Sequence, residues 1–529
     1  MQFNLADLFH AVATTVPDRL ALVAGDQRRT YGELDARATQ CARALVDMGV
    51  KPGDHVGIYA HNRAEWVEAM LGCFAARTVP INVNYRYVED ELRYLFDNAD
   101  MTTLIYEARF EPLIADVLAD LPKLQHLIVL EDGSPRGKIE NAVEYEAALS
   151  SAPDDLALDP PTADDLYILY TGGTTGMPKG VMWRNEDIFM AAMGGGNYGG
   201  PPISRPEEIA EKVTPMPGVT LALAPLMHGQ AQWTSFIAFF GGNTVVLNTL
   251  AKLDAHALWD LLEREGAAVL SLVGDAMARP MIDALAERPQ LPPTLFAIVS
   301  GGAILSPTIK AQIAELAPNV VVMDAFGASE TGANGAVDIT ERGPRFRMNE
   351  YTTVIDDNGK VAAVGETGML ARRGNVPLGY YKDEAKTKAT FMEFDGVRWA
   401  VPGDRAVIEE DGTITVLGRG SQCINTGGEK VFPEEVEAVL KSHPDVFDAV
   451  VVGVSDERWG ETVTAVISPR PGRSLTLDSL VEHGRTALAG YKLPRHLVLV
   501  DEVTRSPSGK PDYRWAKERA SAEVLGGGA

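Results

Sequence analysis

From Asp54 onward, short apolar runs alternate with longer stretches of helical periodicity. HVGIYA, TVPINV, TTLIY and HLIVL read as buried strands, while RAEWVEAMLGCFAA, EDELRYLFDNA and ARFEPLIADVLAD repeat apolar residues every three to four positions. Such strands, joined by helices long enough to cross back over a sheet, predict a doubly wound parallel sheet. Ahead of it, residues 5–16 have amphipathic spacing, 20–23 with 29–31 predict a hairpin, and 32–47 a helix. A Pro-, Asp- and Ala-rich segment, 132–165, interrupts the rhythm, which then resumes with VTLALA, a helix over 230–240, NTVVL, a helix over 255–265, AAVLSLV, DAMARPMIDALAE, LFAIVS and NVVVMDAF. Two alternating stretches predict two sheet layers in one large N-terminal body.

Two segments depart from this pattern. Residues 194–218 are dense in Gly and Pro, break every period and read as a surface insertion. From residue 352 the turn signals DDNG, EDG and GDR come close together and predict a smaller β-rich element. GRGS at 418–421 reads as a hinge. After it, EEVEAVLKSH, DAVVVGVSD, ETVTAVIS, a helix over 477–489 and HLVLVDEV predict a compact α+β unit of roughly a hundred residues. The predicted fold class is α/β, a large N-terminal domain (1–418) of doubly wound parallel sheets plus a β-rich element, followed by a small mobile α+β domain (419–529).

The most informative stretch is 170–180, YTGGTTGMPKG, which follows the strand-like LYILY. Glycines admit φ > 0 and let backbone N–H groups approach an anion, while the threonine hydroxyls and Lys179 add donors and charge. A polyphosphate is the natural guest. The loop is not a Walker A motif, because Met177 and Pro178 stand before Lys179 and no Ser or Thr follows it.

Position by position, the loop resembles the signature of the adenylate-forming superfamily, which includes acyl-CoA synthetases, luciferases and peptide-synthetase adenylation domains. Gly173 stands where that family usually has Ser. FGASE at 326–330 resembles its aromatic-Gly-x-Thr-Glu motif, with Ser329 in the Thr place, and RSPSGKPDYR resembles its C-terminal Gly-Lys element. By that resemblance Thr171, Gly172, Gly173, Thr174, Thr175, Gly176 and Lys179 cradle ATP phosphates, and Glu330 with Thr171 holds Mg²⁺. Ser329 meets the α-phosphate, Phe326 lies against adenine with Asp324 and Gly327 beside it, and Gly302 and Ala303 of SGGA line the base. Asp404 of WAVPGDRA and Arg419 of GRGS would reach the ribose. Gly427 and Gly428 would line a tunnel for coenzyme A, where a side chain would block passage. The implied catalytic set is Lys510, Glu330, Thr171, Lys179 and His228 of PLMHG, the last gating the thiol. Trp183 and Trp233 are candidates for the acyl pocket, and 194–218 for a flap over it or an oligomer contact. Ser421 replaces the Asp or Lys usual at the hinge.

The resemblance implies an acyl-CoA synthetase with ATP, Mg²⁺ and coenzyme A. Its acid would be medium- or long-chain or bulky, such as sterol-derived, since GVMWRNEDIF and the insertion resemble bacterial enzymes for such acids. The alternatives are an acyl-AMP ligase serving a carrier protein and a nucleotide sensor, the latter disfavoured by Glu330 and Lys510 together.

Composition narrows the partners. A 529-residue chain needs more than one core. A formal charge of −25 argues against nucleic acid or an anionic membrane surface as ligand. Three widely spaced cysteines suggest neither a disulfide framework nor a zinc site. With no leader-like N-terminus and no long apolar run, a cytoplasmic enzyme without an integral membrane segment is expected, a homodimer being the default for its size.

Overall fold

The computed structural model describes residues 1–526 except 174–175, 198, 289, 304, 341–342, 427–428, 457, 486 and 507–508. Two eight-stranded sheets form the large body. In the first, Leu166–Gly173, Val79–Asn82, His55–Tyr59, Met101–Glu107, His126–Leu130 and Val143–Glu144 lie side by side and parallel. In the second, the parallel strands are Val321–Ala328, Ala297–Gly301, Val269–Leu272, Val219–Ala222, Thr244–Leu247 and Leu20–Ala24. The helix Ala64–Ala75 is buried around its whole circumference, as a helix packed on every side must be.

The N-terminal hairpin has a larger role than its local pattern predicts. Leu20–Ala24 joins the second sheet, with Leu22 opposite Val245, and so ties the chain start to a strand more than two hundred positions away. The preceding helix, Leu5–Thr15, buries Leu5, Leu8, Phe9 and Val12, the i, i+3, i+4, i+7 stripe that its spacing predicts. Asn4 caps it by accepting from Ala6 N at 2.9 Å.

The insertion lies largely at the surface, as expected, and is anchored to the core at one turn. Gly194, Gly195 and Gly196 all have left-handed φ, and a Cβ on Gly195 would come within 2.5 Å of Pro202 Cβ. This turn sends Ile203 and Ile209 into the main core beside Phe189. Gly195→Ala is therefore expected to cost about 2 kcal/mol and lower the thermal midpoint; an unchanged midpoint would show that the turn relaxes freely.

The β-rich element begins at Asp338–Thr340 rather than at 352, and is an eight-stranded antiparallel sheet whose strand Thr413–Arg419 leads into the GRGS segment. The small domain carries a five-stranded sheet, with Val446–Asp456 and Gly460–Pro469 as a long antiparallel pair and His496–Leu499 parallel to the second of these. Its helix Leu477–Gly484 stops before 489, because Ala487 N and Leu488 N both turn back to Gly484 O and send Leu488 into the small core. No helix among the described residues is long and apolar enough to cross a membrane.

Candidate active site

The loop at 170–180 is the tip of an antiparallel hairpin. Leu166–Gly173 pairs with Gly176–Arg184 from Leu166↔Arg184 to Gly173↔Gly176, and Thr171 faces Lys179 at its neck. The chain beyond Val181 continues as strand, with Val181 and Trp183 buried on one face by the period-2 alternation of the backbone. Gly180 permits that pairing, since a Cβ there would meet the Tyr170 ring at 2.7 Å. Thr174 and Thr175 lie outside the described residues, and Gly172, Gly173 and Gly176 belong to the two strands.

Buried Asn82 fixes this hairpin. Its Oδ1 accepts from Tyr170 N at 2.8 Å, and its Nδ2 donates to Tyr170 O at 2.8 Å and to Met227 O at 2.6 Å. The last bond joins the hairpin to the turn carrying His228. Sequence reasoning missed Asn82, because one Asn in an apolar strand shows only that some backbone needs a partner.

Glu330 follows Val321–Ala328, a strand that runs through Phe326 and Gly327 of the FGASE motif. Gly327 is needed by the strand pairing itself, a Cβ there meeting Gly332 O at 2.5 Å. Phe326 stacks on Phe346 at 5.8 Å. Trp183 Nε1 donates to Ser329 O at 2.9 Å and holds the FGASE turn against the glycine-rich hairpin. Fully buried, Trp183 is core; Trp233 is half-buried and donates to Tyr167 Oη at 3.2 Å.

A further segment completes the anion-facing surface. Gly379–Tyr380 pairs with Val181 and Met182, and Tyr380 O–H donates to Glu330 Oε1 at 2.8 Å. The ammonium groups of Lys179 and Lys386 lie 5.9 and 5.7 Å from the Tyr380 ring centroid. Lys179 is 3.4 Å from Asp383 Oδ2. Burial first, and the Lys179 ammonium second, hold Lys386 below the usual lysine range. Two cations so close, with carboxylates beside them, make a surface suited to a polyanion. The signal for Tyr380, Asp383 and Lys386 was visible only as a charged run after a strand.

The SGGA turn follows Ala297–Gly301, with Gly302 at φ +85° and Ala303 against the main core. Asp324 is buried with its Oδ2 3.4 Å from Lys310, and burial raises its pKa to about 6. Its carboxylate thus faces the helix Pro307–Leu316, an orientation that suits support of the strand. Asp404, also buried, lies opposite Arg419 at the end of its strand pair. Gly418, at φ +123°, leaves a Cβ no room beside Glu434. Ser421 sits in a short 3₁₀ turn, Gly420–Gln422, while Gly427 and Gly428 lie outside the described residues.

Lys510 stands on a tight turn closed by Ser506 N to Lys510 O at 2.8 Å. Arg505 braces it, donating to Gly509 O at 2.8 Å and to both Asp448 oxygens at 2.6 and 2.7 Å. The turn reaches the large domain: a Cβ on Gly509 would lie 3.3 Å from Val273 O. Lys510 is exposed, and its charge acts on His228.

His228 precedes the helix Gly229–Phe240, and its buried Nε2 has no hydrogen-bond partner among the described residues. Burial, then Lys510 and Arg86, lower its pKa to about 3. The neutral ring is thus a poor base. In the unfolded chain the imidazole takes up a proton near pH 6.5 that the folded ring refuses. Stability should therefore fall as pH drops from 6.5 toward 3, and His228→Asn should lose less over that window. Equal pH slopes for the two proteins would refute it.

The chain matches the family described as AMP-binding enzyme over residues 9–381, and the AMP-binding enzyme C-terminal domain over 435–510. It is 47% identical over 536 residues to the 3-oxocholest-4-en-26-oate–CoA ligase of Rhodococcus rhodochrous, covering 98% of this chain and 96% of that one. Against the medium/long-chain-fatty-acid–CoA/3-oxocholest-4-en-26-oate–CoA ligase of Mycobacterium marinum, identity is 47% over 534 residues, covering 98% and 97%. The fold is that of the anthranilate CoA ligase AuaEII in complex with anthranoyl-AMP, with TM-score 0.84 and 23% identity over 99% of this chain and 98% of that one. ATP-bound MatB from Rhodopseudomonas palustris superposes with TM-score 0.80 at 25% identity, over 98% and 99%.

Proposed function

Because this chain belongs to the AMP-binding enzyme family, we propose that it is an acid–thiol ligase that converts a medium- or long-chain fatty acid, or the side-chain acid of a steroid, to its CoA thioester through an acyl-adenylate. The substrate class rests on the names of relatives 45–47% identical along nearly the whole chain. One structural observation supports the reaction most strongly: the Lys510 turn of the small domain is docked within electrostatic reach of His228. That turn projects from a separate domain, so its docking suits a lysine required for only one half of a reaction.

In the first step a carboxylate oxygen attacks the α-phosphorus of ATP and pyrophosphate leaves. Two anions must meet, and the Lys510 ammonium offsets their repulsion. The hairpin neck, with Thr171 and Lys179, and the neighbouring Lys386 hold the departing phosphates. Among the described residues no group of three or more His, Cys, Asp or Glu could cage a metal. Glu330 and the Thr171 hydroxyl nevertheless fit Mg²⁺, which takes one or two carboxylates and fills its shell with phosphate oxygens and water. When bound, the ion neutralises polyphosphate charge.

In the second step the small domain, residues 419–529, turns about Gly418–Ser421, removes Lys510 and brings Gly427 and Gly428 to the site. The CoA thiolate then attacks the acyl carbonyl and AMP leaves. His228, neutral and buried, acts as a gate in this step. ATP and CoA are both cytoplasmic metabolites, which supports a cytoplasmic location for the enzyme.

Tyr380→Phe tests the surroundings of Glu330. Losing one hydrogen bond to a carboxylate should lower kcat/KM for ATP about ten-fold with little change in thermal midpoint; unaltered kinetics would remove Tyr380 from the site.

The proposal as a whole is tested by AMP release from ATP with and without CoA over acetate, benzoate, medium and long fatty acids and a steroid side-chain acid. Strong CoA-dependent release with the fatty or steroid acids is expected. AMP formation indifferent to CoA would favour delivery to a carrier protein instead.

A further inference from the structure

Arg279, on the helix Gly274–Ala286, is only 3% exposed, yet neither Nη1 nor Nη2 has a hydrogen-bond partner among the described residues. A buried cation left so is costly and needs a compensating attraction. The guanidinium carbon lies 5.7 Å from the ring centroid of Phe447, in the small domain. Phe447 occupies a break in strand register: Val446 pairs with Pro469 and Asp448 with Ser468, leaving Phe447 between them without a partner. A bulge of this kind re-aims a side chain, here toward the large domain.

The rest of the helix face agrees. One turn beyond Arg279, Asp283 Oδ2 is 3.9 Å from Arg470 Nη1 of the small domain. Near the helix start, Val273 and Ala276 receive Gly509 at 3.3 and 3.5 Å from its virtual Cβ. Positions 273, 276, 279 and 283 recur every three to four residues and form one stripe. From Phe447 a short rigid path leads to the catalytic lysine. Its neighbour Asp448 grips Arg505, and Arg505 grips Gly509 O, next to Lys510.

We propose that Arg279 is a positioning residue: docked on the bulged Phe447, it holds the small domain where Lys510 serves acyl-adenylate formation, and it must let go before CoA is acylated. A cation–π contact suits a latch that has to open, because a hydrogen-bonded buried ion pair would leave two unpaired charges on separation. The inference rests on the two-step reaction proposed above.

The test separates the two half-reactions in the full-length chain. Acid-dependent ATP–pyrophosphate exchange measures the first, and thioester formation from synthetic acyl-AMP and CoA measures the second. Arg279→Leu and Phe447→Leu should each lower exchange about ten-fold while leaving the second half-reaction at or above the wild-type rate. The double variant should be no worse than the poorer single one, as two ends of one contact require. Arg279→Lys, which keeps the cation, should recover part of the exchange. Should Arg279→Leu fail to fold, Phe447→Leu, whose ring is only half-buried, carries the comparison. Equal losses in both half-reactions, or additive losses in the double variant, would overturn the latch. A wild-type enzyme without any acid-dependent exchange would overturn the two-step reading itself, a failure visible before any variant is made.

Discussion

Lys510→Ala is expected to lower acid-dependent pyrophosphate exchange about 10²–10³-fold while synthetic acyl-AMP is still converted to thioester at near the wild-type rate. The size follows from its task. A positive charge placed where two anions meet is worth several kcal/mol in a site shielded from water, because it acts on charge that is concentrated only in the transition state. The asymmetry follows from its place. Lys510 rides on a turn of the C-terminal unit, held by Arg505 to Gly509 O and by Asp448 to Arg505, and the proposed rotation of that unit would remove it before the second step. Exposure of its side chain makes the substitution mild for folding. A variant losing both half-reactions equally would mean that Lys510 serves the fold or both steps. Full exchange activity would remove it from the chemistry.

Glu330→Gln is expected to lower the overall rate about 10²-fold and raise the Mg²⁺ concentration needed for half-maximal rate, with little change in thermal midpoint. The amide oxygen can still accept from Tyr380 O–H, which now reaches Glu330 Oε1 at 2.8 Å, so the local geometry survives. Negative charge is what disappears, and a hard divalent cation loses its protein carboxylate. The neighbouring lysines add to the effect. With Lys179 and Lys386 both over the Tyr380 ring, removing the carboxylate leaves the cationic surface unbalanced and should tighten ATP binding while slowing turnover. A rate within a factor of two of wild type at all Mg²⁺ concentrations would contradict this role.

These two residues were legible in the sequence because each sits in a contiguous motif with its own backbone reason: a turn after a strand for Glu330, a glycine-flanked loop for Lys510. The parallel sheets were legible for a similar reason, since period-2 and period-3.6 patterns are local. What escaped reading depends on partners far along the chain. Gly176–Arg184 became a strand because it pairs with Leu166–Gly173 and then receives Gly379–Tyr380 two hundred residues later. Leu20–Ala24 looked like half of a hairpin, and is also the strand beside Thr244–Leu247. Asn82, Tyr380 and Arg279 are common residue types in unremarkable stretches. Only the fold places Asn82 between the phosphate hairpin and the His228 turn, and only the docked small domain gives Arg279 its aromatic partner. Asp324 lies next to a motif, but only the fold shows that its carboxylate sits 3.4 Å from Lys310.

In the proposed reaction the acid's own oxygen attacks the α-phosphorus of ATP before CoA takes the acyl group. Supplying a fatty or steroid acid labelled with ¹⁸O in both carboxylate oxygens, together with ATP and CoA, and weighing the products by mass spectrometry tests it directly. Each AMP should carry one ¹⁸O, the thioester carbonyl should retain one, and pyrophosphate should carry none. Unlabelled AMP, or ¹⁸O in orthophosphate alongside ADP, would contradict that reaction.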